Sequence, residues 1–84
     1  MYEIEFTKRA RRQFIKLIPA VQLRLQGAID ELSENPRPDG VKKLKGRDDE
    51  YRIRIGDYRV IYTVEDRVLL VIVVQVGLRS NVYE

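Results

Sequence analysis

The sequence predicts an α+β domain with the element order β-α-α-β-β-β, in which an N-terminal helical hairpin packs on one face of a small antiparallel sheet. Three observations support this fold class. Two segments of helical periodicity lie close together near the N-terminus, "YRIRIGDYRVIY" at 51–62 has the pattern of a tight β-hairpin, and residues 68–76 are almost all apolar. A chain of 84 residues fits one domain spanning 1–84.

The N-terminal third predicts one strand and two helices. "YEIEF" at 2–6 alternates apolar and polar residues, as a strand does. Thr7 is a suitable N-cap for a helix over "KRARRQFIKLI" (8–18), and Pro19 fits the first turn of a second helix that reaches about Glu34. The apolar positions with helical spacing are Ala10, Phe14, Leu17 and Ile18 in the first helix and Val21, Leu25, Ala28, Ile29 and Leu32 in the second. The short connection predicts an antiparallel helical hairpin.

The remaining strands follow "NPRPDG" (35–40), which cannot continue a helix. "VKKLKG" (41–46) is predicted to be partly extended, and "YRIRI", "YRVIYTV" and "VLLVIVVQV" are predicted to be three strands. Gly56-Asp57 places glycine first in a two-residue loop, as a type II′ turn requires. A second turn is expected near residues 65–67. The apolar last strand is expected in the sheet interior.

Composition excludes several kinds of chemistry. The chain has no histidine and no cysteine, so it has neither the Ser-His nor the Cys-His nucleophile arrangement and no zinc site of the usual ligands. It also lacks the glycine-rich phosphate loops of nucleotide enzymes, and we expect no cofactor and no metal. No apolar run is long enough to span a membrane, and the N-terminus does not have the pattern of a secretory signal. We therefore expect a cytoplasmic protein without a membrane partner.

The hairpin concentrates positive charge. The net charge is +3, and residues 35–59 hold eight Lys or Arg against five Asp or Glu. A two-residue turn at Gly56-Asp57 puts Arg52, Arg54 and Arg59 on the side of the sheet away from the core, which we call the arginine face, with Arg54 opposite Arg59. Like charges opposed across strands are destabilising. Nearby acids could neutralise them, or the side chains could spread into water; alternatively the face binds a phosphodiester backbone, because guanidinium groups grip phosphate bidentately.

Three segments in order, "NPRPDGVKKLKG", "YRIRIGDYRVIYTV" and "VIVVQVGLRSNVYE", make the chain resemble the RelE/ParE superfamily of toxins from type II toxin–antitoxin systems, with RelE the more similar branch. The resemblance implies ribosome-dependent cleavage of messenger RNA in the A site. It also implies catalytic roles for Arg52, Arg54, Arg59, Arg79 and Tyr83, and an antitoxin as partner.

Three residues in the basic segment before the hairpin are candidates for contacts with the RNA or ribosomal backbone: Lys42, Lys43 and Lys45. Solvated loop lysines are the alternative, and for Tyr83 the alternative is packing against the sheet. The chain departs from the family where relatives often carry lysine before the turn and histidine at the place of Leu78. Two other functions fit the resemblance: a ParE-like, non-catalytic inhibitor of DNA gyrase, and an inactive relative that binds only its antitoxin.

Overall fold

A computed structural model describes residues 1–44 and 50–78 of the chain. These residues form two helices and five strands. Four of the strands and both helices follow the predicted order, and the fifth is an additional short strand before the hairpin. Their bounds are β1 Glu3–Phe6, α1 Lys8–Ile15, α2 Pro19–Glu31, β2 Lys42–Lys43, β3 Glu50–Ile55, β4 Tyr58–Glu65 and β5 Leu70–Leu78. A single 3₁₀ turn, Asp66–Val68, joins β4 to β5. The fold class is therefore confirmed, and the basic segment predicted to be partly extended forms β2.

The strands form one sheet in the order β1-β5-β4-β3-β2. The pairs β2–β3, β3–β4 and β4–β5 are antiparallel. The pair β1–β5 is parallel, with Glu3 beside Leu70 and Phe6 beside Val73. The sheet is thus mixed, and the prediction of a wholly antiparallel sheet was wrong at this edge. Local patterns indicate that β1 is a strand, but its direction depends on the path through both helices and the three following strands.

The helices begin where the sequence predicts and end earlier. Thr7 caps α1, since its Oγ1 accepts a hydrogen bond from the backbone N of Ala10 at 3.1 Å. The helix stops at Ile15 because Ile18 precedes a proline and is extended, with ψ 151°, while Pro19 begins α2. Ile18 is consequently 65% exposed and does not join the core as predicted. Neither helix of the described residues is long and apolar enough to cross a membrane.

The main core lies between the helical hairpin and one face of the sheet. Each helix contributes its buried stripe, and each long strand contributes alternate residues. The buried members are Ala10, Leu25, Ile29, Leu32, Tyr51, Ile53, Val60, Tyr62, Val64, Val71, Val73 and Val76. Both helices cover this face of the sheet. The opposite face, which carries the arginines, is not covered by either helix.

Candidate functional site

The β3–β4 hairpin has the predicted register. Ile55 faces Tyr58 across the turn, and the Cα atoms of Arg54 and Arg59 are direct partners. Gly56 has a φ of +61°, which a glycine adopts readily and which suits the first position of a type II′ turn. The tight turn therefore holds two arginines side by side on the arginine face.

The arginine face is more enclosed than the sequence suggests. Only 7% of Arg52 and 9% of Arg59 is exposed, while Arg54 is exposed. Leu44 and Ile61 are buried on this face, with Val74 packed against them, and form a second apolar cluster. All three arginines take part in bonding or electrostatic interactions within the chain. Arg52 and Arg59 thus do not spread into water, which was one of the expectations.

A β-bulge shapes the floor of the arginine face. Ile61 pairs with Gln75 and Tyr62 pairs with Val73, so Val74 is an extra residue on β5. The bulge changes the alternation of β5, because Val73 and Val76 both belong to the main core. On α1, Gln13 accepts a hydrogen bond from the backbone N of Val76 at 2.7 Å, which fixes β5 just beyond the bulge. Bulges of this kind redirect side chains, and they are common beside active sites.

The predicted lysines do not share one surface. Lys42 pairs with Arg52 and therefore lies on the arginine face, whereas Lys43 pairs with Tyr51 and lies on the opposite side. Both are exposed on the short edge strand β2. Lys45, Arg79 and Tyr83 lie outside the described residues. Lys42 and the three hairpin arginines thus share one face of the sheet, and Lys43 lies on the other.

Charge is separated along the strands of this face. The register places Glu5, Ile72, Thr63 and Glu50 in one row across the sheet, and Glu3, Leu70 and Glu65 in the next row toward the β4–β5 turn. The rows on the other side hold Lys42 with Arg52, and then Arg54 with Arg59. One half of the face is therefore acidic and the other basic. A polyanion is attracted to the half near Gly56 and repelled by the half near the β4–β5 turn.

A polar cluster at the edge of the core was not predicted. Arg37 forms an ion pair with Asp66 at 2.8 Å, donates from Nε to the Tyr51 hydroxyl at 3.0 Å, and lies 5.1 Å from the centre of the Tyr51 ring. The Tyr2 hydroxyl donates to the same Asp66 carboxylate at 2.7 Å. Hydrogen bonds from Arg37 and then Tyr2 lower the pKa of Asp66. Asp66 is thus engaged by Arg37, and the cluster ties the "NPRP" segment and β1 to the β4–β5 turn.

A second unpredicted feature is an apolar surface on the helical hairpin. Ile15, Ile18 and Leu23 are 64%, 65% and 76% exposed. Two adjoining grooves, of about 230 and 370 Å³, share Phe14 and Gln26 as lining residues. The signal in the sequence is an excess of apolar residues around the short connection at Pro19, more than a small core can bury.

Known proteins are similar to this chain in fold and in sequence. Residues 4–83 match the family described as the ParE toxin of type II toxin–antitoxin systems. The mRNA interferase toxin RelE of Escherichia coli K12 is 36% identical over 86 residues, covering 98% of this chain and 90% of that protein. A putative toxin RelE1 of Methanocaldococcus jannaschii is 35% identical over 75 residues, covering 83% of each. The toxin in the crystal structure of the intact E. coli RelBE toxin–antitoxin complex superposes with a TM-score of 0.83 at 34% identity, covering 93% of this chain and 96% of that one.

The element order, the mixed sheet and the arginine hairpin together define a small toxin fold. The chain belongs to the ParE/RelE toxin family of type II toxin–antitoxin systems.

Proposed function

We propose that this protein is the toxin of a type II toxin–antitoxin pair and an endoribonuclease that cleaves messenger RNA in the ribosomal A site in the cytoplasm. The observation that carries the proposal is the pair Arg52 and Arg59, each more than nine-tenths buried on the sheet face that the helices do not cover. A buried guanidinium remains charged and acts in a medium of low dielectric constant, where its attraction for phosphate is stronger than in water. The names of the relatives support the same activity.

The proposed mechanism uses the RNA's own 2′-OH as the nucleophile. The 2′ oxygen attacks the adjacent phosphorus, the bond to the 5′ oxygen breaks, and the products are a 2′,3′-cyclic phosphate and a 5′-OH. Arg59, with Arg79, holds the scissile phosphate and stabilises the negative charge that develops on it. Arg52 and Arg54 lower the pKa of the 2′-OH electrostatically or hold the flanking phosphates. Because these positions are arginine, the chain is better equipped to bind and orient the RNA than to accept its proton.

The remaining predicted residues assist binding. Tyr83 stacks on a base or positions a hydroxyl. Lys42 extends the basic half of the arginine face along β2, while Lys43, on the other side of the strand, and Lys45 contact the ribosome or the RNA backbone. Such contacts weaken with salt, because each neutralised phosphate releases counterions.

The direct test of the chemistry removes the nucleophile. A messenger RNA with a 2′-deoxynucleotide at the cut position is placed on a translating ribosome with the purified protein. Cleavage at that position should disappear while cleavage of the all-ribose message continues. Cutting of the deoxy substrate at the same bond would contradict attack by the 2′-OH.

The test of the site compares the loss of an arginine on the proposed site with the loss of an arginine elsewhere on the surface. Arg59→Ala and Arg79→Ala should each abolish growth arrest and the mRNA ends mapped by primer extension after induction. The matched control is Arg67→Ala, because Arg67 is exposed in the 3₁₀ turn at the acidic end of the sheet. Arrest by Arg59→Ala as strong as the wild type's, with the same mRNA ends, would show that the arginine face is not the working site.

A second candidate is inhibition of DNA gyrase without catalysis, as the ParE branch of the resemblance implies, since the matching family carries the ParE name. The two functions separate in purified systems. The endoribonuclease cuts messages on ribosomes and leaves gyrase supercoiling unchanged, whereas a ParE-like inhibitor does the reverse. A chain inert in both assays would be a relative that binds only its antitoxin.

The antitoxin partner is proposed to dock on the helical hairpin. Solved relatives include complexes with an antitoxin, and the exposed apolar residues Ile15 and Leu23 each line one of two adjoining grooves on this hairpin. Helix α1 carries four Lys or Arg in "KRARRQFI" and no acid. An amphipathic helix with an acidic polar face complements both the grooves and their basic surroundings.

Co-purification tests this surface. Leu23→Glu, at the centre of the hairpin surface, should reduce capture of the toxin by its tagged antitoxin while the free variant still arrests growth. Val68→Glu is the control, because Val68 is similarly exposed, at 68%, but lies in the β4–β5 turn. Full capture of Leu23→Glu would place the antitoxin elsewhere.

A further inference from the structure

We propose that the RNA-binding surface continues from the arginine face around the tip of the β3–β4 hairpin to helix α2, where Arg24 binds a phosphate of the RNA backbone. The inference rests on the proposed function and adds a contact from the helical layer to the contacts made by the sheet. Three observations carry it: the packing of Arg24 against Gly56, the position of that glycine beside the hairpin arginines, and the distribution of charge on α2.

Arg24 lies against the glycine of the hairpin turn. A Cβ atom placed on Gly56 would be 2.9 Å from Nη2 of Arg24, 3.4 Å from Nη1 and 3.5 Å from Cζ. The guanidinium therefore occupies the space that a side chain at position 56 would need, although Arg24 belongs to α2 and Gly56 to the sheet hairpin. Gly56 thus serves two purposes: it allows the φ of +61° in the turn, and it leaves room for the guanidinium of Arg24.

The turn brings Arg24 to the end of the sheet where the arginines collect. Arg54 is two residues before Gly56, about 7 Å along β3, and its partner on β4 is Arg59. Arg54 and Arg59 belong to the arginine face, whereas Arg24 reaches the hairpin tip from the side of the helices. Positive charge is therefore present on both sides of the tip, and the charges act together on a polyanion.

The basic charge of α2 is concentrated at this point. Arg24 is the only Lys or Arg in Pro19–Glu31, and the acids Asp30 and Glu31 follow at the end of the helix, about 9–10 Å further along its axis. Asp57 is the only acid in the hairpin sequence at 51–62, and no ion pair joins it to Arg24 in the described part of the chain. Neutralisation by the carboxylate of the turn therefore does not account for the position of Arg24.

A phosphodiester fits this arrangement. A guanidinium is always charged and presents paired N–H donors that grip a phosphate bidentately. Arg24 is exposed, and its neighbours on the same side of the helix, Ala20 and Gly27, are exposed as well and have little or no side chain. An RNA backbone can thus approach the guanidinium closely without a change in the protein. The phosphate belongs to the message or to ribosomal RNA, and the two arms of the experiment distinguish these sources.

The experiment measures the affinity for ribosomes at several salt concentrations for the wild type, Arg24→Ala and Arg67→Ala. One arm uses a message that ends after the P-site codon, and the other uses a message that fills the A site and carries a 2′-deoxynucleotide at the cut position. We expect Arg24→Ala to bind about three- to tenfold more weakly at low salt. The slope of log affinity against log salt should fall by about one, because one phosphate contact is lost. Arg67→Ala, at the acidic end of the sheet, should leave both unchanged.

A loss of affinity in both arms assigns the phosphate to ribosomal RNA, and a loss only with the filled A site assigns it to the message. Cleavage kinetics give a second readout, because Arg24 does not touch the reacting atoms. Arg24→Ala should raise KM and leave kcat and the 5′ ends of the fragments unchanged. Arg24→Lys, which keeps the charge, should restore the salt slope.

Because Arg24 is exposed, these variants should melt near the wild-type temperature. Arg24→Gln serves in place of an alanine variant that does not fold. A salt slope and a KM equal to the wild type's in folded Arg24→Ala would refute the contact and leave the proposed function intact. A wild type that neither binds ribosomes nor cuts a message would refute both.

Discussion

The hydroxyl of Tyr62 offers a measurable link between the core and the segment that carries β2. Tyr62 is fully buried, its hydroxyl donates to the carbonyl oxygen of Pro36 at 2.7 Å, and its ring stacks on Tyr51 with centroids 5.9 Å apart. Burial raises the pKa of this phenol, so the hydroxyl remains protonated and a donor across the accessible pH range. Tyr62→Phe keeps the ring and removes only the donor. The buried carbonyl of Pro36 then lacks this partner, and we expect a loss of about 1–2 kcal/mol in the free energy of unfolding.

Urea denaturation followed by circular dichroism measures the effect. In a domain of this size, 1 kcal/mol lowers the melting temperature by about 4–8 °C. The control is Tyr58→Phe, because Tyr58 is half-buried and its hydroxyl makes no hydrogen bond within the described part of the chain; its change should stay within about 0.5 kcal/mol. The slope against urea should be the same for both variants and the wild type. Equal midpoints for Tyr62→Phe and Tyr58→Phe would refute the reasoning that this hydrogen bond anchors the 35–40 segment.

Three further predictions concern the ion pair, the turn and the second apolar cluster. The pKa of Asp66 is lower in the folded protein than in the unfolded chain, so the ionised carboxylate stabilises the protein above about pH 4. This contribution disappears as the pH falls through the folded pKa. Carboxyl NMR titration should show that the pKa of Asp66 is higher in Arg37→Gln than in the wild type. Gly56→Ala should cost about 1–3 kcal/mol by urea denaturation, because φ is +61° there, and a stability equal to the wild type's would contradict a strained turn. Ile61→Ala should lower the free energy of unfolding by about 2–5 kcal/mol, because Ile61 is 1% exposed. Ile72 is half-buried on the same face, so Ile72→Ala should lower it clearly less, and equal losses would argue against a second cluster.

The sequence predicts those parts of the fold that depend on neighbouring residues. Thr7 caps α1 and Gly56 opens the hairpin turn, and each acts within three residues of its own position. The register of β3 and β4 follows from the turn alone. The direction of β1 could not be predicted in this way, because its partner β5 lies more than 60 residues away. The early end of α1 could have been predicted, since Pro19 restricts Ile18.

In the candidate site, too, some features could be predicted from neighbouring residues and others could not. Placing Arg52, Arg54 and Arg59 on one face needs only strand alternation, and the register agrees. The burial of Arg52 and Arg59 could not be predicted in this way, because burial depends on residues that the pairing of several strands brings together. The bulge at Val74 could not be predicted, because a nearly continuous apolar strand gives no sign of where its alternation changes. Composition alone also gives no sign that charge is separated between the two halves of the arginine face.

The pairing of β1 with β5 also determines when during synthesis the arginine face can form. Glu3 pairs with Leu70 and Phe6 with Val73, so the first strand made waits for the last. Strand β5 also supports β4, and with it the arginine hairpin. Contacts of such long sequence separation form late in folding. A nascent chain therefore cannot complete the arginine face until β5 has left the ribosome.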